Sequence, residues 1–251
     1  MKKRVGFVLL CGFMCLLCAC TNDLDIPDSS KSGMQTKSLD VETIDFIYQG
    51  VLYSSAYKVN EDSSIYIINE DVREIAEMLK SKLHLVTFIK NDGTVEYIDN
   101  VNEAEMYSNN MGENILPPFS TKAVSATLNT MDVKMYRHSN YGGWCIFEKL
   151  DHAYKPAINV ANVGKSKNDK ISSIFAAGVL PSFSDWFPGP QYTAVLKFYD
   201  AENYGGYCLW LEQILYPGKI DIPDLKKYKI APGSSAHWGD RITSYQLGFK
   251  N

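Results

Sequence analysis

Residues 133–150, VKMYRHSNYGGWCIFEKL, return in altered form at 196–213 as LKFYDAENYGGYCLWLEQ. Aligned on each other, the two stretches match at Tyr136 and Tyr199, Asn140 and Asn203, Tyr141 and Tyr204, both Gly-Gly pairs, and Cys145 and Cys208. Each alternates apolar and polar residues, breaks at the glycines and alternates again, the pattern of a strand, a tight turn and a second strand. After a long connection each is followed by a second related segment, NDKISSI at 168–174 and GDRITSY at 239–245. Two copies of a hairpin, a long connection and a returning strand predict a pair of Greek keys in one β-sandwich.

The combined pattern is Tyr-x4-Tyr-x-Gly followed later by (Asn/Asp)-(Asn/Asp)-x-x-(Ser/Thr)-Ser. It resembles the βγ-crystallin family over residues 131–251. Gly143 and Gly206 fall where a turn needs positive φ or close approach. The resemblance implies that Tyr136, Tyr141, Tyr199 and Tyr204 cover the folded hairpins, and that Ser173 and Ser244 tie those hairpins down by hydrogen bonds.

It also implies calcium, held in two sites between the paired loops. Calcium takes 6–8 oxygen ligands, and a polar loop entering a strand has spare carbonyls to offer. Carried over, the ligand positions are Asp169, the Lys170 carbonyl and Ser172 from the first loop, with Asn168 beside them. The second loop offers Asp240, the Arg241 carbonyl and Thr243. Gly239 stands where the motif has its first Asn/Asp, and Arg137 stands where bacterial members of the family often have an acid; Asp200 fills that place in the second repeat. One carboxylate per site implies weak binding, on the order of 10⁻⁵ to 10⁻³ M. The plainer alternative is a degenerate motif kept for folding, as in lens members.

Residues 1–19 read as a signal peptide, with a positive start, MKKR, and a 13-residue apolar run, and the stretch closes on Cys18-Ala19-Cys20. The run is too short to span a bilayer. The end resembles the lipobox of bacterial lipoproteins, which implies acylation of Cys20 and a membrane partner through that lipid. Residues 20–42, rich in Asp, Ser and Lys, read as a flexible tether. Asp23 and Asp25 resemble the acidic export signal of Bacteroidetes-type lipoproteins, so the expected location is the cell envelope, at the outer membrane, with surface exposure if that signal carries the protein outward.

Lys2, Lys3 and Arg4 are three of the 25 basic residues; without them 29 Asp+Glu face 22 Lys+Arg, a net charge of −7. An acidic body with no basic run argues against nucleic acid as a partner. Only Cys145 and Cys208 lie beyond Cys20. In an exported chain they could pair in a disulfide; the resemblance instead implies buried thiols.

Residues 43–107 read as a small α+β module. TIDFIYQGVLYSSAYKV alternates like a hairpin, and NEDVREIAEMLKSKL is a helix capped by Asn69 with an apolar stripe of Ile75, Met78, Leu79 and Leu83. HLVTFIKNDGTVEYID is a second hairpin around Asn91-Asp92-Gly93. Residues 108–130 read as a connecting segment. The expected fold is therefore an α+β N-terminal module followed by an all-β double Greek key.

No enzyme signature is present. His84, His138, His152 and His237 lack metal-ligand spacing, and Gly164-Lys165-Ser166 lacks the earlier glycine of a phosphate loop, since position 159 is asparagine. Loops 151–166 and 180–191, with Trp186, Phe187 and Tyr192, are aromatic enough for a contact surface or for packing on the first module. A binding or structural role leads. A protease inhibitor or antagonist on the same fold and a surface glycan-binding module are the alternatives.

Overall fold

A computed structural model of the chain describes residues 42–61, 64–112, 130–152, 154–179, 193–214 and 218–250. The signal, Cys20, the tether, most of 108–130, and Trp186, Phe187 and Tyr192 lie outside the described residues. Strand β1 (Glu42–Tyr48) turns into β2 (Val51–Val59) through Gln49 and Gly50, both at positive φ, the two-residue turn that suits a twisted hairpin. Strand β3 (Ile65–Ile67) pairs with β2 and leads into helix α1 (Glu70–Lys80). The Asn69 side chain accepts from the Val72 N–H at 3.2 Å and caps the helix.

Helix α1 buries Val72, Ala76 and Leu79, while Ile75 and Met78 pack at the margin of the same cluster. Leu83 departs from the expected stripe. The helix stops at Lys80, so Leu83 falls outside its periodicity and stands in solvent.

Strands β4 (Val86–Ile89) and β5 (Val95–Ile98) form the second hairpin, and β5 also pairs in parallel with β1. Helix α2 (Val101–Gly112) follows, capped by Asn100, whose Oδ1 accepts from the Glu103 N–H at 3.0 Å. It carries the chain through 108–112, which the sequence assigns to the connection. Ser108 holds this stretch by tertiary contacts, donating to Glu212 and accepting from Lys250 Nζ at 2.6 Å.

The repeats build the rest. Strands β6 (Thr130–His138) and β7 (Gly142–Asp151) form the first hairpin, followed by β8 (Ala157–Val160) and β9 (Ser173–Val179). Strands β10 (Thr193–Tyr199) and β11 (Cys208–Ile214) form the second, followed by β12 (Lys219–Ile222) and β13 (Ser244–Lys250). Three strands of each repeat stay together, in order β9-β6-β7 and β13-β10-β11. The remaining strand crosses over: β8 pairs with β13, and β12 pairs with β9. That reciprocal exchange makes a double Greek key. Its core lies between the sheets and includes Met131, Val133, Met135 and Leu150 against Leu196, Phe198, Leu209 and Leu247, with Ile171, Ile242 and Trp238 closing it.

The first module is fused to this sandwich. Strand β4 adds in parallel to the edge of β11, with Val86 opposite Cys208 and Ile89 opposite Leu211. One nine-stranded sheet therefore runs β3-β2-β1-β5-β4-β11-β10-β13-β8 across the segments read from the sequence as two domains. Phe88, Ile98 and Ala104 pack with Tyr199, Cys208 and Trp210 as an added layer on that sheet. Trp238 reaches across as well, donating from Nε1 to Thr87 Oγ1 at 3.1 Å.

Candidate metal site between the two loops

Both hairpins fold in the same way at the same positions. Asn140 and Tyr141 have φ of 55° and 62°, and Asn203 and Tyr204 repeat those values. Asparagine tolerates that region; tyrosine does so only when its surroundings enforce it. The enforcement is visible. Ser173 Oγ donates to the His138 carbonyl at 2.8 Å and accepts from the Tyr141 N–H at 3.2 Å. Ser244 Oγ does the same with Ala201 at 2.7 Å and Tyr204 at 3.1 Å. The tyrosines meet edge to face, Tyr136 with Tyr141 at 5.5 Å and Tyr199 with Tyr204 at 5.7 Å. Gly143 needs its lack of a side chain, because a Cβ there would lie 2.8 Å from His138 Cδ2 at a φ of +80°.

The two motif loops lock reciprocally. The Asp240 N–H donates to the Ile171 carbonyl at 2.9 Å and the Asp169 N–H to the Ile242 carbonyl at 3.4 Å. The Ser172 N–H donates to Tyr136 and the Thr243 N–H to Tyr199, each at 2.8 Å. Asp169 and Asp240 both sit at positive φ, 52° and 61°. This backbone brings the carboxylate of each loop to the hydroxyl of the other. Thr243 Oγ1 lies 3.2 Å from Asp169 Oδ1 and 3.2 Å from the Asp200 carbonyl oxygen. Ser172 Oγ donates to Asp240 Oδ1 at 2.5 Å. Ser172 and Thr243 are buried.

The other expected ligands are placed as follows. Lys170 turns its ammonium to the Ser166 carbonyl at 3.1 Å. Asn168 donates from Nδ2 to Asp169 Oδ2 at 3.1 Å, and its own Oδ1 is buried with no hydrogen-bond partner among the described residues. Arg241 pairs with Asp200 Oδ2 at 3.1 Å, while Asp200 Oδ1 accepts from the Tyr207 N–H at 2.8 Å.

Each cluster thus gathers one carboxylate and one hydroxyl, with a carbonyl beside the first. Such a set is hard and all-oxygen, so the residues fit calcium rather than a metal preferring nitrogen or sulfur. Among the described residues no group of three or more His, Cys, Asp or Glu could hold a metal ion. Two participants escape the motif, the Asp200 carbonyl and Lys226, whose Nζ lies 3.6 Å from Asp240 Oδ2. Only Gly239, a gap in an otherwise side-chain-bearing pattern, hints at the second.

The cysteines correct the expectation of two buried thiols. Both are free; Cys208 is buried and Cys145 is exposed. They occupy matching positions opposite Tyr199 and Tyr136, but β4 and α2 cover only the second repeat. Burial pushes the Cys208 thiol up to about 12. Phe147, the counterpart of buried Trp210, is likewise exposed. In the loop 151–166, Tyr154 also projects into solvent.

No protein-family model matches the chain, and no curated protein matches it. Among solved structures it is similar to a βγ-crystallin from an archaeon, at 21% identity and a TM-score of 0.25 over 47% of this chain and 96% of that one. A domain solved in work on the evolution of the eye-lens βγ-crystallin fold aligns at 19% identity and a TM-score of 0.30, over 52% and 98%. A clostrillin double mutant in complex with nickel aligns at 20% identity and a TM-score of 0.25, over 47% and 97%.

Proposed function

We propose that this chain is a lipid-anchored protein of the cell envelope whose double Greek key binds calcium weakly, in a binding or structural role rather than a catalytic one. The observation that carries the calcium reading is the reciprocal pairing of Asp169 with Thr243 and of Asp240 with Ser172 across the two loops. Asp169, Thr243 and the carbonyls of Asp200 and Arg241 would hold one ion. Asp240, Ser172 and the Lys170 carbonyl would hold the other. A bound ion supplies a positive charge that links the two loops, which hydrogen bonds alone join in its absence. At free calcium about 100 times the dissociation constant, the linkage adds about 2.7 kcal/mol to stability.

Scanning calorimetry of the purified protein in chelator and in millimolar calcium tests this. The melting temperature rises with calcium in the wild type, rises less in Asp169→Ala and in Asp240→Ala, and stays put in the double variant. A wild-type melting temperature indifferent to millimolar calcium sinks the reading. The anchor rests on the Cys20 sequence context, and mass spectrometry of the cell-derived N-terminus tests it; an unmodified Cys20 in the membrane-bound protein refutes it.

A further inference from the structure

Besides Arg137 against Asp200, the two halves of the site differ at a pair of positions whose differences are complementary. The stretch Ala161–Gly164 in the first repeat plays the part of Pro223–Lys226 in the second, as four matching contacts show. The Val163 N–H donates to the Thr243 carbonyl and the Leu225 N–H to the Ser172 carbonyl, each at 2.9 Å. The Asn203 N–H donates to Ala161 and the Asn140 N–H to Pro223. Asn162 Oδ1 accepts from the Gly164 N–H at 2.7 Å, as Asp224 Oδ1 accepts from the Lys226 N–H at 3.0 Å. Asn162 also bonds Glu202, and Asp224 bonds Ser139, at equivalent places in the two hairpins.

Gly164 therefore corresponds to Lys226, and Asn168 corresponds to Gly239. Each loop has one glycine and one polar side chain, in opposite order. In the first loop Asn168 puts its amide on Asp169. In the second, the room left by Gly239 is filled from the other side: a Cβ there would lie 2.5 Å from Lys226 Cγ and 3.3 Å from the Lys226 nitrogen. The lysine stem lies against that glycine and carries Nζ to 3.6 Å from Asp240 Oδ2. Buried Leu225 fixes the turn at the root of Lys226. Among the described residues no lysine or arginine forms an ion pair with Asp169.

We infer that Lys226 is a built-in counter-cation of the Asp240–Ser172 half-site, making the two calcium positions unequal so that the Asp169–Thr243 position fills first. This rests on the calcium reading above. An ion at Asp240 must push the ammonium aside, and a divalent cation held near it feels its charge. Lys226 is half-exposed and free to swing into water, so the handicap is modest. It amounts to about a twofold to fivefold difference in affinity.

The test follows the Asp169 and Asp240 amides by 15N NMR as calcium chloride is titrated into the purified protein. In the wild type the Asp169 amide moves at about twofold to fivefold lower calcium than the Asp240 amide. Lys226→Met keeps the stem over Gly239 and removes the charge, and it brings the Asp240 midpoint down towards that of Asp169. The same gain appears by calorimetry when Asp169→Ala is compared with Asp169→Ala/Lys226→Met. Coincident midpoints in the wild type, or a separation that Lys226→Met leaves unchanged, overturn the role of Lys226 while calcium binding stands. If neither amide responds to calcium, the calcium reading and the role of Lys226 fall together.

Discussion

Trp210→Ala and Phe147→Ala remove the same position from the two repeats and have very different consequences. Trp210 is 1% exposed and Phe147 is 53% exposed. Truncating a buried tryptophan costs about 3–5 kcal/mol through lost transfer energy and the cavity left behind. Trp210 has more to lose: its ring stacks on Phe88 at 6.2 Å, Lys197 Nζ lies 4.2 Å from its centroid, and its Nε1 donates to Glu212 Oε1 at 2.8 Å. The cation–π contact adds about 0.5–2 kcal/mol. Glu212 keeps Ser108 and Lys250 as partners, so no charge is orphaned and the lost hydrogen bond adds only about 1 kcal/mol. The expected total is about 4.5–8 kcal/mol. Fully burying a phenylalanine is worth about 1.5–3 kcal/mol, so half-exposed Phe147 forfeits about 1 kcal/mol. Urea denaturation followed by far-ultraviolet circular dichroism measures both. At about 2–4 °C per kcal/mol for a chain of this size, Trp210→Ala also lowers the melting temperature by roughly 10–30 °C. A difference between the two variants below about 1 kcal/mol would refute the claim that β4 and α2 cover one repeat and leave the other bare.

Two further outcomes follow from the same asymmetry. In the native protein a thiol reagent modifies Cys145 and spares Cys208 until urea unfolds the chain; equal reactivity of both before unfolding contradicts the placement. Stability also falls on the alkaline side. Burial raises the Cys208 thiol to about 12 and raises the hydroxyls of Tyr97, Tyr199 and Tyr245 in the same direction. A folded-state value above the unfolded one means that the folded chain holds the proton more tightly. That contribution is complete below the ordinary thiol value of about 9 and is lost as pH climbs towards 12. The urea midpoint is therefore level near neutrality and declines above pH about 9, and Cys208→Ala makes that decline shallower. A midpoint that rises through this window contradicts the burial.

The doubled hairpins and loops are legible in the sequence because their requirements are local. Positive φ at Asn140 and Asn203, room at Gly143 and a serine at 173 and 244 each leave a mark at one position. The end of α2 leaves none, since Ser-Asn-Asn favours helix poorly and is held by Glu212 and Lys250 from the far end of the chain. Parallel pairing of β4 with β11 has no turn to announce it. The burial of Cys208 and exposure of Cys145 depend on that pairing, so two matching positions of the repeat lie in opposite environments. Lys226 shows in the sequence only through the glycine it needs opposite.

The seam between β4 and β11 also constrains the order of assembly. Residues 86–89, all buried in the finished protein, leave the ribosome long before the strand that will cover their edge. Until β11 arrives, Val86, Thr87, Phe88 and Ile89 form a short, apolar, half-paired strand open to any neighbour with a free backbone. Pairing elements from opposite halves of a chain is slow, because the intervening loop must close before any contact rewards it. The first module thus waits unfinished while both hairpins form, and dilution or a holding chaperone should raise the yield of refolded protein more than any change in temperature.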